Sequence, residues 1–272
     1  MTHSIHSEKK LIECLAILPN GLKASIYSWK ELSEVTDLVI CFPGLPNYPE
    51  KEFFATFPEN LRHLTYVVVY YYGYWFSDGK LSVETSANSV VDSVAGFLSG
   101  KCLDAFSGKN VLTSVQKVSL LGYSFGANPL ARAMPLLTSS AEQIDQIFFI
   151  APLGLVHQDQ LPKLDTEKFY SYNRQFVKFL ITGYNNILRL QSAEEWSDFF
   201  QGKNKKSLVP STPRAFLSKI NLYYGAADKV IEKEFVDAFI KVVSPNKLHV
   251  IEHVGHSKAL IIKALTDNII YQ

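Results

Sequence analysis

Residues 118–126 read Val118-Ser119-Leu120-Leu121-Gly122-Tyr123-Ser124-Phe125-Gly126. The run Val118 to Leu121 is short and apolar, as expected of a strand buried on both faces. The five residues from Gly122 match G-x-S-x-G, and a helix is expected from about 125 to 138. The pattern alone is weak evidence, and its position between a buried strand and a helix gives it weight. The glycines have a steric job. A turn this tight strains the serine backbone, and a Cβ at either glycine would collide with neighbouring backbone. The product is a hydroxyl held at a sheet edge, beside a helix N-terminus.

Strand–helix alternation extends in both directions from this turn. Residues 10–29 read as two strands joined by Asn20-Gly21, a strong hairpin signal. Buried strands are expected at 37–42, Tyr66–Tyr71, Ile147–Ile150 and Ile220–Tyr224, and a further strand at His249–Glu252. Helical spacing of apolar residues marks 84–98 (Val90, Val91, Val94, Phe97, Leu98), 232–243 and 257–270. From 152 to 216 the alternation stops, and a helical stripe of Phe169, Tyr172, Phe176 and Phe179 takes its place. The expected architecture is α/β, with a mostly parallel central sheet of about eight strands and helices on both faces. A helical cap insertion would occupy 152–216, between a first core part at 1–151 and a second at 217–272.

Composition agrees with a large buried core. The chain has 272 residues, 47% hydrophobic and 19% charged, which excludes a disordered chain. Its 27 Lys+Arg against 26 Asp+Glu give a net charge of +1, so no nucleic-acid partner is expected. The one basic cluster, Lys203-Asn204-Lys205-Lys206, reads as a solvated loop. Three scattered cysteines, Cys14, Cys41 and Cys102, make neither a disulfide framework nor a CxxC metal site. No apolar run is long enough to span a membrane. The N-terminal run Leu11–Leu18 contains Glu13 and lacks a small-residue cleavage site, so it does not read as a signal peptide. A soluble cytoplasmic protein is expected. Ser99-Gly100-Lys101-Cys102 fails as a phosphate loop and no G-x-G-x-x-G is present, so no cofactor is expected.

A serine hydroxyl needs a base. His3 and His6 fall in a frayed tail, His63 precedes a strand, and His157 lies where the cap starts and could line a pocket. His249 and His253 read as structural. His256 follows Gly255 in a loop after a strand, where an imidazole can swing over the sheet edge. A zinc site of His249, His253 and His256 lacks H-E-x-x-H, a nearby cysteine pair and a further ligand, so no metal is expected. The base in turn needs an acid to fix its tautomer. Asp228 ends Leu222-Tyr223-Tyr224-Gly225-Ala226-Ala227-Asp228, a strand followed by a small-residue turn; the competing role is a helix N-cap or turn residue. One helix and one strand separate it from His256, which returns the two loops side by side in a parallel sheet. Asp159 and Asp165 are weaker rivals.

The order Ser124, Asp228, His256, with Gly225-Ala226-Ala227-Asp228-Lys229-Val230 and Val254-Gly255-His256-Ser257, resembles the α/β-hydrolase superfamily over nearly the whole chain. The resemblance does not select a subfamily. It implies an oxyanion hole from the backbone N–H groups of Phe125 and, in Phe42-Pro43-Gly44-Leu45-Pro46, of Leu45. Many relatives begin that loop with His-Gly where this chain has Pro43-Gly44. The stretch Tyr72–Gly79, followed by a helix bearing Asp92, is similar to the loop and helix after the fourth strand in relatives. Trp75, Phe176 and Phe179 are the expected substrate contacts. The implied activity is a serine hydrolase acting on a small-molecule carboxylic ester or thioester with an apolar moiety. An acyltransferase or peptidase with the same triad, and a catalytically inactive binding protein, are the alternatives.

Overall fold

Alternating apolar runs gather into a single sheet in the computed structural model, which describes residues 10–46, 51–153, 187–192, 194–196, 209–231 and 233–269. The strands are β1 (Ile12–Ile17), β2 (Lys23–Ser28), β3 (Asp37–Phe42), β4 (Thr65–Tyr70), β5 (Cys102–Asp104), β6 (Asn110–Val111), β7 (Lys117–Tyr123), β8 (Ile144–Ile150), β9 (Ile220–Gly225) and β10 (Lys247–Ile251). Their spatial order is β10-β9-β8-β7-β3-β4-β2-β1-β5-β6. From β10 to β4 every neighbouring pair is parallel, and β2 runs antiparallel to both β4 and β1. The count is ten rather than about eight because β5 and β6 add a short antiparallel ladder beyond β1. Strands of three and two residues are too short to show a period.

The helices are α1 (Lys51–Ala55), α2 (Val83–Leu98), α3 (Ala127–Ala133), α4 (Lys233–Val243) and α5 (Ala259–Ile269). Helix α2 begins where its residues can satisfy its first N–H groups. Ser82 Oγ accepts from the Thr85 N–H at 2.9 Å, and Thr85 Oγ1 accepts from the Ser82 N–H at 2.8 Å. The helix expected at 125–138 is broken into a 3₁₀ turn at Ser124–Gly126, α3, and a 3₁₀ segment at Met134–Ser140. Pro135, which has no N–H for an α-helical bond, sits at the start of that last segment. The strand expected at His249–Glu252 lies two residues earlier and ends at Ile251, which leaves His253 in a turn at φ +59°.

Alternation along the strands divides the core between the two sheet faces. Ile40, Val67, Val69, Leu120, Ile147, Phe149 and Leu222 pack with α2, α3 and α4. Val39, Cys41, Tyr66, Val68, Leu121, Phe148, Ile150 and Tyr223 pack with α1 and α5. Each such side chain contributes about 1.5–3 kcal/mol when fully buried, so the two layers hold the sheet rigid. Register aligns the strand ends that matter. Phe42 pairs with Gly122, Tyr123 with Ile150, Ile150 with Tyr223, and Ile251 with Gly225. The loops after β3, β7, β9 and β10 therefore leave from one edge, where ligands bind in open α/β sheets.

Most of the expected cap at 152–216 lies outside the described residues, including His157, Asp159, Asp165, Phe169, Tyr172, Phe176 and Phe179. No helix among the described residues is long and apolar enough to cross a membrane.

Candidate active site

Ser124 sits directly after β7 with φ +52°, a left-handed backbone for a residue with a Cβ. Such a conformation costs on the order of 1–3 kcal/mol and persists only where packing enforces it. Here the packing is visible at Gly126, where an added Cβ would run into the Phe42 carbonyl at the end of β3. The end of β3 and the elbow are therefore in backbone contact. The Ser124 carbonyl accepts from the Leu153 N–H at 3.0 Å, which ties the elbow to the exit of β8.

Asp228 and His256 are brought together by backbone bonds between two loops. The Ala226 N–H donates to the Ile251 carbonyl and the Ala227 N–H to the Val254 carbonyl, both at 3.0 Å. At the end of this ladder the His256 Nδ1 lies 2.8 Å from Asp228 Oδ2. The other carboxylate oxygen, Oδ1, accepts from the Val230 N–H at 2.8 Å and the Ile231 N–H at 3.0 Å. The Asp228 side chain is 0% exposed and that of His256 is 14% exposed. Burial pushes the Asp228 carboxyl upward. The His256 hydrogen bond, the two backbone N–H groups and the His256 charge outweigh it, so the carboxyl lies below its ordinary range and stays ionised. Asp228 thus fills the competing turn-capping role through Oδ1, while Oδ2 meets His256.

Of the three residues, the structure bonds two. No hydrogen bond joins the Ser124 hydroxyl to His256 among the described residues. The imidazole is nevertheless beside the elbow: its ring centre is 5.3 Å from that of Tyr123, tilted by 34°. Burial and the neighbouring Asp228 charge push the Tyr123 hydroxyl up to about 12, so Tyr123 is neutral beside the pair. Hydrogen bonds of this kind are often long in ligand-free sites and tighten when substrate is bound.

The loop after β3 runs alongside the serine. An added Cβ at Gly44 would lie 3.0 Å from Ser124 Cβ and 3.4 Å from its Oγ. Leu45, next in the chain, is buried, as is Phe125. Sequence reasoning named these two and missed two neighbours. Gly44 was legible only as part of a Pro-Gly pair. Tyr71, which the apolar run places at the end of a strand, lies just after β4. It is fully buried, its hydroxyl donates to the Pro43 carbonyl at 3.0 Å, and its ring meets Phe125 edge-on at 5.8 Å. Burial raises the Tyr71 hydroxyl well above its ordinary value, so it remains a donor.

Trp75 takes part in a different set of contacts. Its backbone N–H donates to the Ile187 carbonyl at 3.0 Å and its backbone carbonyl accepts from Arg189 Nη1 at 3.3 Å. Arg189 Nη2 also donates to the Ser77 carbonyl. These bonds tie the loop after β4 to the described piece at 187–192. Phe176 and Phe179, the other expected substrate contacts, lie outside the described residues. Asp92 accepts from the Tyr72 hydroxyl at 2.8 Å. His249 stacks on Tyr223 with centroids 4.2 Å apart and planes 8° apart. No group of three or more His, Cys, Asp or Glu among the described residues could hold a metal ion.

Comparison with known proteins bears on the fold. No protein-family profile matches the sequence. A search of curated proteins likewise finds no match. Solved structures do match. The 2-hydroxy-6-oxo-6-phenylhexa-2,4-dienoate hydrolase of Rhodococcus sp. strain RHA1 superposes with a TM-score of 0.58 at 11% identity, covering 96% of this chain and 98% of its own. DcsB, in complex with its substrate analogue, gives 0.57 at 16% identity with the same coverage. An alpha/beta hydrolase of Novosphingobium aromaticivorans DSM 12444 gives 0.53 at 12% identity, covering 97% of this chain and 99% of its own.

Proposed function

We propose that this chain, whose fold is that of the α/β-hydrolases, is a serine hydrolase acting on a carboxylic ester or thioester with an apolar moiety. The observation that carries the reading is the part-buried Asp228–His256 hydrogen bond, formed near a serine held at φ +52°. A carboxylate on Nδ1 selects the tautomer whose Nε2 is free to accept a proton. The buried Leu45 and Phe125 beside the serine favour an apolar substrate group.

In this reading His256 Nε2 removes the Ser124 proton as Oγ attacks the substrate carbonyl. The Ser–His contact, in this reading, forms when substrate is bound. The carbonyl oxygen takes the negative charge and is met by the N–H groups of Phe125 and Leu45. Imidazolium then forms against an ionised Asp228, which stabilises it. The carbonyl re-forms, the bond to the alcohol or thiol breaks, and His256 returns the proton to the leaving group. Water, deprotonated by the same nitrogen, attacks the acyl-enzyme and restores the serine.

A fluorophosphonate probe tests this. It is expected to label the wild-type protein and not Ser124→Ala, while p-nitrophenyl esters of increasing chain length turn over with a clear length optimum. A wild-type protein that takes no label and cleaves no ester overturns the reading.

A further inference from the structure

The two backbone groups assigned to the oxyanion hole belong to different segments, and such a hole works only if their spacing is fixed. Phe125 follows the nucleophile, whereas Leu45 lies in the loop after β3. One side chain touches both segments. Tyr71 donates its hydroxyl to the Pro43 carbonyl at 3.0 Å and sets its ring edge-on to Phe125 at 5.8 Å. It is 0% exposed, so the bond has no competing water. The Pro43 carbonyl is the acceptor half of the peptide whose N–H belongs to Gly44, and Gly44 lies against the Ser124 side chain. Planarity of that peptide passes the orientation set by the hydroxyl to the residue beside the serine, and from there towards Leu45.

We propose that Tyr71 is a positioning residue, which fixes the 43–45 loop at the spacing from Phe125 that the developing oxyanion requires. The inference rests on the serine-hydrolase reading and deepens it. Strand β4 supplies its own comparison. Tyr66 is also fully buried, and its hydroxyl also donates to a backbone carbonyl, that of Leu61 at 3.1 Å, outside the two oxyanion segments. Tyr71→Phe and Tyr66→Phe therefore remove the same atom and leave the same kind of orphaned carbonyl.

The test is steady-state kinetics of both variants on the best p-nitrophenyl ester, with inhibition by a trifluoromethyl ketone, which forms a tetrahedral oxyanion on serine. Tyr71→Phe is expected to lower kcat roughly tenfold or more with KM changed less than about threefold, and to weaken the ketone in the same proportion as kcat/KM. Tyr66→Phe is expected to leave all three near wild type. Introducing p-aminophenylalanine at 71, which keeps a donor, is expected to restore activity that p-fluorophenylalanine does not. That pair also decides the matter if the phenylalanine variant does not fold. Near-wild-type kcat in Tyr71→Phe, or equal losses in the two phenylalanine variants, overturns the proposal. Wild-type protein without serine labelling would instead overturn the hydrolase reading beneath it.

Discussion

The two halves of the site are built by different means. Asp228 and His256 are held by explicit hydrogen bonds, from the ladder between the loops after β9 and β10 to the 2.8 Å contact between the side chains. Ser124 and the 43–45 loop carry one hydrogen bond each, Leu153 N–H to the Ser124 carbonyl and the Tyr71 hydroxyl to the Pro43 carbonyl, and are otherwise held by close packing, with Gly126 against the Phe42 backbone and Gly44 against the Ser124 side chain. Polar bonds tolerate small shifts, since donor and acceptor can follow one another. Steric contact does not, because repulsion rises steeply within a few tenths of an ångström. The Asp228–His256 half is thus expected to fail when a bonding group is removed, whereas the Ser124 half fails also when an atom is added.

Removing the proposed nucleophile sets the upper limit. Ser124→Ala is expected to lower kcat/KM by ~1,000-fold or more with little change in Tm, measured by ester hydrolysis and calorimetry. Asp228→Asn keeps an oxygen for the Val230 and Ile231 N–H groups but loses the carboxylate that holds His256. A loss of at least ~100-fold in kcat is expected, and a near-wild-type rate would break the comparison at its polar half. Gly44→Ala adds one methyl 3.0 Å from Ser124 Cβ. It is expected to lower kcat about tenfold or more while Tm falls by only a few degrees, since overpacking costs about 1–3 kcal/mol.

The smallest effect is on acid stability. The folded-state pKa of Asp228 lies below its unfolded value near 3.8. Its ionised form therefore contributes stability above that value, and the contribution is lost as pH falls through the folded pKa. The Tm difference between wild type and Asp228→Asn is expected to shrink as pH is lowered from 5 to 3. A constant difference would mean that the carboxylate adds nothing to folding.

The same division explains what could be read in advance. Ser124, Asp228 and His256 announce themselves through residue type and small neighbours, and the strands through apolar runs such as Leu38–Phe42. The α/β alternation and the shared sheet edge follow from those signals. The pairing of β5 with β6 did not, because two short strands have no readable period. Nor did the early end of α3, where Pro135 breaks a pattern of otherwise helix-compatible residues. Tyr71 was hidden for another reason. Its side chain acts across to the neighbouring strand's loop, and its use depends on β3 and β4 being adjacent, which single-chain periodicity does not encode. Gly44 was visible as a residue but not as a contact, since its neighbour Ser124 lies far along the chain.

The order of the strands also has a consequence for synthesis. The elbow belongs to β7, whereas the acid and base follow β9 and β10, the two outermost strands on their side of the sheet. A ribosome makes the serine well before either partner. Until β9 docks, β8 presents an open hydrogen-bonding edge, and the hydroxyl has neither its base nor the acid behind it. Under the proposed serine-hydrolase mechanism, a nascent or prematurely terminated chain ending before residue 220 is therefore silent towards esters while the open β8 edge is available for pairing with other chains.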